Sequence, residues 1–277
     1  MNNLSGALLR RLVASDIPNA VGLSEQAGWN QTDEDWRLLI DLAPEGCLAI
    51  EVNGALAATT TILAYGQRLA WIGMVLTEKD YRGRGFARRL LTAALTQADQ
   101  MQIETVKLDA TDQGRPLYET MGFRFEQTVE RWSRSGFGDT CVTVPHDAVT
   151  LSQNLRADDQ RAFGADRSEL LRRLVKRGSA LFNNNSYLLT RPGRQTDYLG
   201  PSVCDASDSA RALVECALRR GTRRGWSWDL LPGNTGAVEV ARDLAFTPTR
   251  RLHRMVRGKD LNTREGSIYA IAGFELG

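Results

Sequence analysis

Residues 71–132 read WIGMVLTEKDYRGRGFARRLLTAALTQADQMQIETVKLDATDQGRPLYETMGFRFEQTVERW, and this stretch decides the fold. An apolar run from Leu69 to Thr77 reads as a buried strand. A polar turn, Glu78 to Tyr81, follows it. Arg82-Gly83-Arg84-Gly85-Phe86-Ala87 then opens a helix whose apolar residues, Leu90, Leu91, Ala94, Leu95 and Ala98, recur at helical spacing. A second strand, Thr105 to Ala110, leads into a short helix holding Tyr118. The order is strand, glycine turn, helix, strand, helix, so the class is α/β, an α+β arrangement around a twisted mixed sheet.

The glycine turn has a direct physical reading. A helix N-terminus carries unpaired N–H groups and partial positive charge, and so attracts anions. Gly83 and Gly85 lack a Cβ, which lets the backbone take positive φ and approach a ligand closely. Arg82 and Arg84 add forked donors suited to phosphate. Each charge-assisted hydrogen bond there is worth roughly 1.5–3 kcal/mol. The turn suits a pyrophosphate, although the same residues also make an ordinary polar turn. It fits neither the G-x-x-x-x-G-K-[ST] loop nor the G-x-G-x-x-G fingerprint.

Context adds a resemblance. Arg82-x-x-Gly85-x-Ala87 matches the acyl-CoA signature (Gln/Arg)-x-x-Gly-x-(Gly/Ala), and Leu117-Tyr118-Glu119-x-x-Gly122-Phe123 follows it. Together they closely resemble the GNAT superfamily of acyl-CoA-dependent N-acyltransferases, over about residues 8–134. The resemblance implies acetyl-CoA as acyl donor, bound by Val75, Leu76 and Thr77 on the first strand and by Arg82, Gly83, Arg84, Gly85, Phe86 and Ala87 in the turn. It implies that Tyr118 returns a proton to the departing thiolate; a phenol with a pKa of about 10 is a donor at neutral pH. Such help is commonly worth about 10²–10⁴-fold. Where many members place an asparagine after the second strand, this chain has Asp112 and Gln113. The general base stays open among Glu78, Asp109, Asp33 and an ordered water.

Before this stretch, Leu8 to Ala14 reads as a strand, and Asp16 caps a helix with Pro18 in its first turn. Thr32 caps a second helix, with Asp35 completing a capping box. Asn53-Gly54 joins two strands as a hairpin. The family resemblance makes Trp29, Asn30, Asp33 and Trp36 candidates for the acceptor cleft, with Asp109 as a base or amine anchor. Two indoles and a carboxylate can hold a cationic amine. Packing is the competing role for Trp36, and a loop hydrogen bond for Asp109.

The second half echoes the first. Tyr198-Leu199-Gly200 answers Trp71-Ile72-Gly73, Trp226-Ser227-Trp228-Asp229-Leu230 answers Val106-Lys107-Leu108-Asp109-Ala110, and Phe246 answers Phe123. The echo lacks the Arg/Gly turn, and Ala241 stands at the place of Tyr118. Residues 135–155 read as loop and linker. The expected division is a catalytic domain over 1–140 and a degenerate GNAT-like domain over 155–277. A helix is expected over Arg167–Lys176, and residues 268–277 are expected to close the chain as a strand.

Composition bounds the partners. The 277 residues hold 42% hydrophobic residues and a formal charge of +2, so no basic field calls for nucleic acid. Cys47, Cys141, Cys204 and Cys216 are scattered, and His146 and His253 stand apart, so no metal site is expected. No signal segment or membrane span is legible, which points to the cytoplasm. The expectation is an acetyl-CoA-dependent N-acetyltransferase acting by direct transfer on a small-molecule amine or amino-acid derivative; the alternative is a non-catalytic acyl-CoA-binding regulator.

Overall fold

Turn and capping chemistry build the first elements as their sequence suggests. In the computed structural model, which describes residues 6–136, 151–220 and 224–277, strand β1 covers Ala7–Arg11 and helices α1 and α2 cover Ile17–Gln26 and Asp33–Leu42. Thr32 caps α2 reciprocally with Asp35: Thr32 Oγ1 accepts from Asp35 N at 3.3 Å, and Asp35 Oδ2 accepts from Thr32 N at 2.8 Å. Asp16 does not cap α1 through its side chain. Its carboxylate accepts from Val13 N at 2.9 Å and from both terminal nitrogens of Arg10 at 2.7 and 2.8 Å, bracing the turn before the helix. Strands β2 (Cys47–Val52) and β3 (Ala55–Tyr65) form the hairpin, with Asn53 and Gly54 at φ 51° and 80°.

The chain divides into two compact units, Met1–Leu108 with Leu276, and Asp109–Glu275 with Gly277. In the first, β1–β4 are consecutive antiparallel neighbours, β4 covering Leu69–Thr77. Helix α3 (Phe86–Gln100) crosses over to β5 (Thr105–Ala110), which pairs parallel with β4. Helix α3 packs on β2, β3 and β4; α1 and α2 also pack on β3. Trp36, Leu39, Ile50, Leu69, Ile72, Met74 and Leu90 are almost wholly buried.

The second unit begins at the end of β5. It contains α4 (Arg115–Glu119), β6 (Arg124–Arg134), α5 (Gln153–Phe163), α6 (Ser168–Arg177), β7 (Ser179–Asn183), β8 (Ser186–Arg191) and β9 (Asp197–Val203). Helix α7 (Ser207–Arg219), β10 (Trp226–Leu230), α8 (Thr235–Asp243), β11 (Thr247–Gly258) and β12 (Ile268–Ala270) complete it. Helix α5 starts inside the segment expected as linker; residues 137–150, with Cys141 and His146, lie outside the described residues. The expected closing strand is only Ile268–Ala270; past it the backbone turns on itself, Ala272 N donating to Gly277 O at 2.8 Å and Gly277 N to Gly273 O at 2.9 Å.

Strand register makes the repeat physical. Ala70, Trp71 and Ile72 of β4 pair with Val106, Lys107 and Leu108. Asp197, Tyr198 and Leu199 of β9 pair with Trp226, Ser227 and Trp228 in the same parallel register. The described parallel pairing ends at the corresponding residue in both repeats.

The compact division does not follow the repeats. Strand β6, which closes the first repeat, lies antiparallel between β10 and β11. Two buried ion pairs form around this arrangement. Arg131 of β6 grips Asp229 of β10 through two bonds of 2.6 Å, and Arg254 of β11 grips Asp109 of β5 at 2.9 and 3.0 Å. Arg131 and Arg254 each stand eight positions after Phe123 and Phe246, so the pairs are repeat equivalents. Breaking such a pair strands a buried charge, at a cost of about 3–5 kcal/mol, whereas replacing both partners with apolar groups is often neutral. Asp109→Ala is therefore expected to lose about 3–5 kcal/mol in urea unfolding, and the double variant Asp109→Leu with Arg254→Leu to recover most of that loss.

Candidate active site

The loop between β4 and α3 is built to present backbone. Gly83 and Gly85 take φ 74° and 80°, and an added Cβ at either would meet nothing within 4 Å. The conformation, not crowding, demands glycine there. Gly85 is the N-cap of α3 and has no side chain with which to cap it. The two arginines brace the turn: Arg82 Nε donates to Thr77 O at 3.2 Å, and Arg84 Nη2 donates to Asp80 O at 2.9 Å with its guanidinium over the Tyr81 ring. Both arginines are exposed, Phe86 is buried and Ala87 is half-buried.

Strand β4 carries an irregularity at the same end. Met74 takes φ 50°, and the register with β3 shifts between Thr59 and Thr61. Thr59 Oγ1 donates to Met74 O at 2.8 Å and Thr60 Oγ1 to Gly73 O at 3.4 Å. Such a bulge re-aims a strand, and bulges are common beside active sites. Past it, Val75 and Thr77 are half-buried and Leu76 is buried. The described pairing with β5 has ended by this point, at Ile72 and Leu108.

Tyr118 is 8% exposed on α4, edge-on to Phe123 with ring centroids 6.1 Å apart. Gly114 sets its place, since a Cβ there would lie 3.0 Å from Tyr118 Cε2. Burial pushes the phenol up to about 12, which keeps it protonated at neutral pH.

Among the acceptor candidates, the structure separates surface from core. Trp29 is half-buried and Asp33 is exposed in the first turn of α2. Trp36 is fully buried and its Nε1 donates to Ser24 Oγ at 3.1 Å, so it is a packing residue rather than a cleft residue. Asn30 is buried too. Next to it, Gln31 is 4% exposed and its Oε1 has no hydrogen-bond partner, a buried acceptor that the sequence reading passed over.

Asp109 is not a solvent-facing base: its side chain is 0% exposed and both oxygens are held by Arg254. Burial pushes its carboxyl up, and Arg254 counters only part of that. The same pair in the second repeat, which lacks the glycine turn and the tyrosine, marks it as architecture.

His253, read from sequence as isolated, meets Asp112: Nε2 lies 2.6 Å from Oδ1. Asp112 is in the turn that leads to Tyr118, where Gly114 N also bonds Thr111 Oγ1 at 3.1 Å. The second repeat has no equivalent. Glu130, at the place of His253, pairs with Arg251 instead, and Pro232 stands at the place of Asp112. Only repeat alignment at fixed offset from Phe123 and Phe246 could have pointed to His253. Among the described residues, no cluster of three His, Cys, Asp or Glu could hold a metal, and no helix is long and apolar enough to cross a membrane.

Comparisons with known proteins bear on the family and the fold. Residues 19–123 match the Acetyltransferase (GNAT) family, and residues 155–270 match a second Acetyltransferase (GNAT) domain family. The Bacillus subtilis N-acetyltransferase YitH, itself uncharacterized, is 25% identical over 97% of this chain and 98% of its own. A holothin acyltransferase from a Pseudoalteromonas strain is 26% identical over 94% of this chain and 90% of its own. A solved Pyrococcus horikoshii chain assigned as an acetyltransferase superposes with a TM-score of 0.85 at 22% identity, covering 100% of this chain and 99% of that one. A GCN5-related N-acetyltransferase from Sphaerobacter thermophilus reaches 0.64 at 16% identity, over 94% and 99% of the two chains. With its glycine turn, bulged strand and buried tyrosine in one repeat and the same strand register in the other, the chain belongs to the GNAT acetyltransferases and carries two GNAT domains in tandem.

Proposed function

We propose that this protein transfers the acetyl group of acetyl-CoA directly to a primary amine of a small molecule or amino-acid derivative. The observation that carries the reading is the coexistence, in one repeat only, of an uncapped helix N-terminus behind a braced glycine turn and a buried, protonated Tyr118. The working division is a catalytic domain over 1–140 and a degenerate one over 155–277.

In this reading the pyrophosphate lies against Gly83, Gly85, Phe86 and Ala87, with Arg82 and Arg84 supplying charge. The pantetheine arm runs along Val75, Leu76 and Thr77. A backbone N–H of β4 polarises the thioester carbonyl. The neutral amine nitrogen forms the new C–N bond and sheds a proton to water, the C–S bond breaks, and the Tyr118 phenol gives its proton to sulfur and regains one from solvent. Asp112, braced by His253, steadies the turn that carries Tyr118. Trp29 and Asp33 remain the acceptor contacts, with Gln31 Oε1 as an acceptor for a substrate N–H. A relative named for one acceptor, holothin, supports a discrete acceptor compound.

Two of the four thiols fit direct transfer. Burial pushes Cys47 up to about 12 and Cys204 up to about 11, so neither offers a thiolate near neutral pH to carry an acyl group. Free cysteines also suit a reducing, cytoplasmic setting.

Three measurements test the reading. Thiol release from acetyl-CoA across an amine panel identifies acceptors; Tyr118→Phe is expected to lower kcat about 10²–10⁴-fold with acetyl-CoA affinity unchanged, and unchanged kcat removes Tyr118 as the acid. Gly85→Val forces a β-branched residue to positive φ, and calorimetry is expected to find acetyl-CoA binding lost. The ultraviolet titration difference between the parent and Tyr118→Phe is expected to show a phenol ionising near 12. An unfolded tyrosine ionises near 10, so the stability tied to this burial is full below about pH 10 and declines as pH rises toward the folded value.

A further inference from the structure

The groove of the second repeat is filled by the chain itself. In β4 and β5 the parallel pairing ends at Ile72 and Leu108; in β9 and β10 it ends at Leu199 and Trp228. Beyond that point the 268–277 segment enters beside β9. Strand β12 pairs antiparallel with β9, Ala270 opposite Ser202 and Ile268 opposite Val203. Counting from Gly73 and Gly200, Ser202 and Val203 are the equivalents of Val75 and Leu76.

The segment bonds both walls of the groove. Ile271 N donates to Asp229 O of β10 at 2.9 Å, Cys204 N donates to Ser267 O at 2.9 Å, and Trp228 Nε1 donates to Tyr269 O at 2.7 Å. Tyr269 Oη lies 3.0 Å from Oγ of Ser207, the first residue of α7, the helix that answers α3. Asn234 Nδ2 donates to Gly266 O and Ile268 O at 3.0 and 2.9 Å. The close approach needs glycine: a Cβ on Gly200 would lie 2.3 Å from Ile271 O. Residues 268–272 are all buried, and the segment is anchored further on by Arg167 Nη1, which donates to Gly277 O at 3.0 Å.

We propose that the cleft between β9 and β10 is a peptide groove whose ligand is the chain's own 268–272 backbone, seated where the pantetheine arm runs in the first repeat, so that the second repeat takes no acyl-CoA. Pantetheine carries two amides, and an extended peptide offers the same alternation of donor and acceptor to a strand edge. The comparison with pantetheine rests on the reading of β4 as the cofactor strand; the occupancy of the groove does not.

Hydrogen exchange on the full chain, with and without acetyl-CoA, tests it. The amides of 268–272 are expected to be as protected as those of β9, and acetyl-CoA is expected to leave them unchanged. Ile271→Pro removes the donor to Asp229 O and is expected to speed exchange of the neighbouring amides about tenfold. Gly200→Ala is a second route to the same loosening. Fast exchange at 268–272 in the parent, or faster exchange when acetyl-CoA is added, overturns the assignment. If acetyl-CoA fails to bind while the protection holds, the acetyltransferase reading fails and the filled groove stands.

Discussion

A carboxylate buried at the end of a strand needs a guanidinium, and this chain has two such carboxylates at equivalent places. Asp109 and Asp229 are both buried near the ends of their strands, and the arginines that meet them come from β11 and β6. Each closing strand thereby serves the aspartate of the other repeat. Strand β6 leaves its own repeat to lie between β10 and β11, which the pairing of Arg131 with Asp229 rewards. Neither strand can be withdrawn without stranding a charge away from water. The second repeat supplies Arg254 to Asp109 and His253 to Asp112.

Against so regular a frame, the departures stand out. Both repeats have the parallel strand pair in one register, the crossover helix and the buried Asp–Arg pair. Only the first has the Arg/Gly turn, Tyr118 and the contact of Asp112 with His253. Among the described residues, only the second has a peptide segment bonded to both strands of its groove. The symmetric features are answered by packing and electrostatics alone. The asymmetric ones leave a glycine turn and a buried phenol in one repeat, and a groove bonded to a peptide segment in the other.

Much of the site was legible because it depends on local chemistry. Positive φ at Gly83 and Gly85, the capping box of Thr32 and Asp35, and the turn at Asn53-Gly54 are set by residues adjacent in the chain. Trp36 and Asp109 were less legible. An indole on an amphipathic helix and a carboxylate at a strand end carry the same letters whether they face a cleft or a core; Ser24 and Arg254, which decide the matter, lie 12 and 145 residues away. Helix α5 was lost to a segment whose polar composition resembles a linker, although Ser152 caps it.

Sequence alone determined the fold class, the repeat and the residues of the glycine turn, because hydrophobic period, glycine conformational freedom and a fixed motif spacing act over a few residues at a time. Tertiary structure alone decided which closing strand meets which aspartate, where His253 goes, and what fills the second groove. Those outcomes depend on matching buried charge and unpaired backbone groups across 98 and 145 residues of chain in the two ion-pair cases, and such matches leave no local pattern to read.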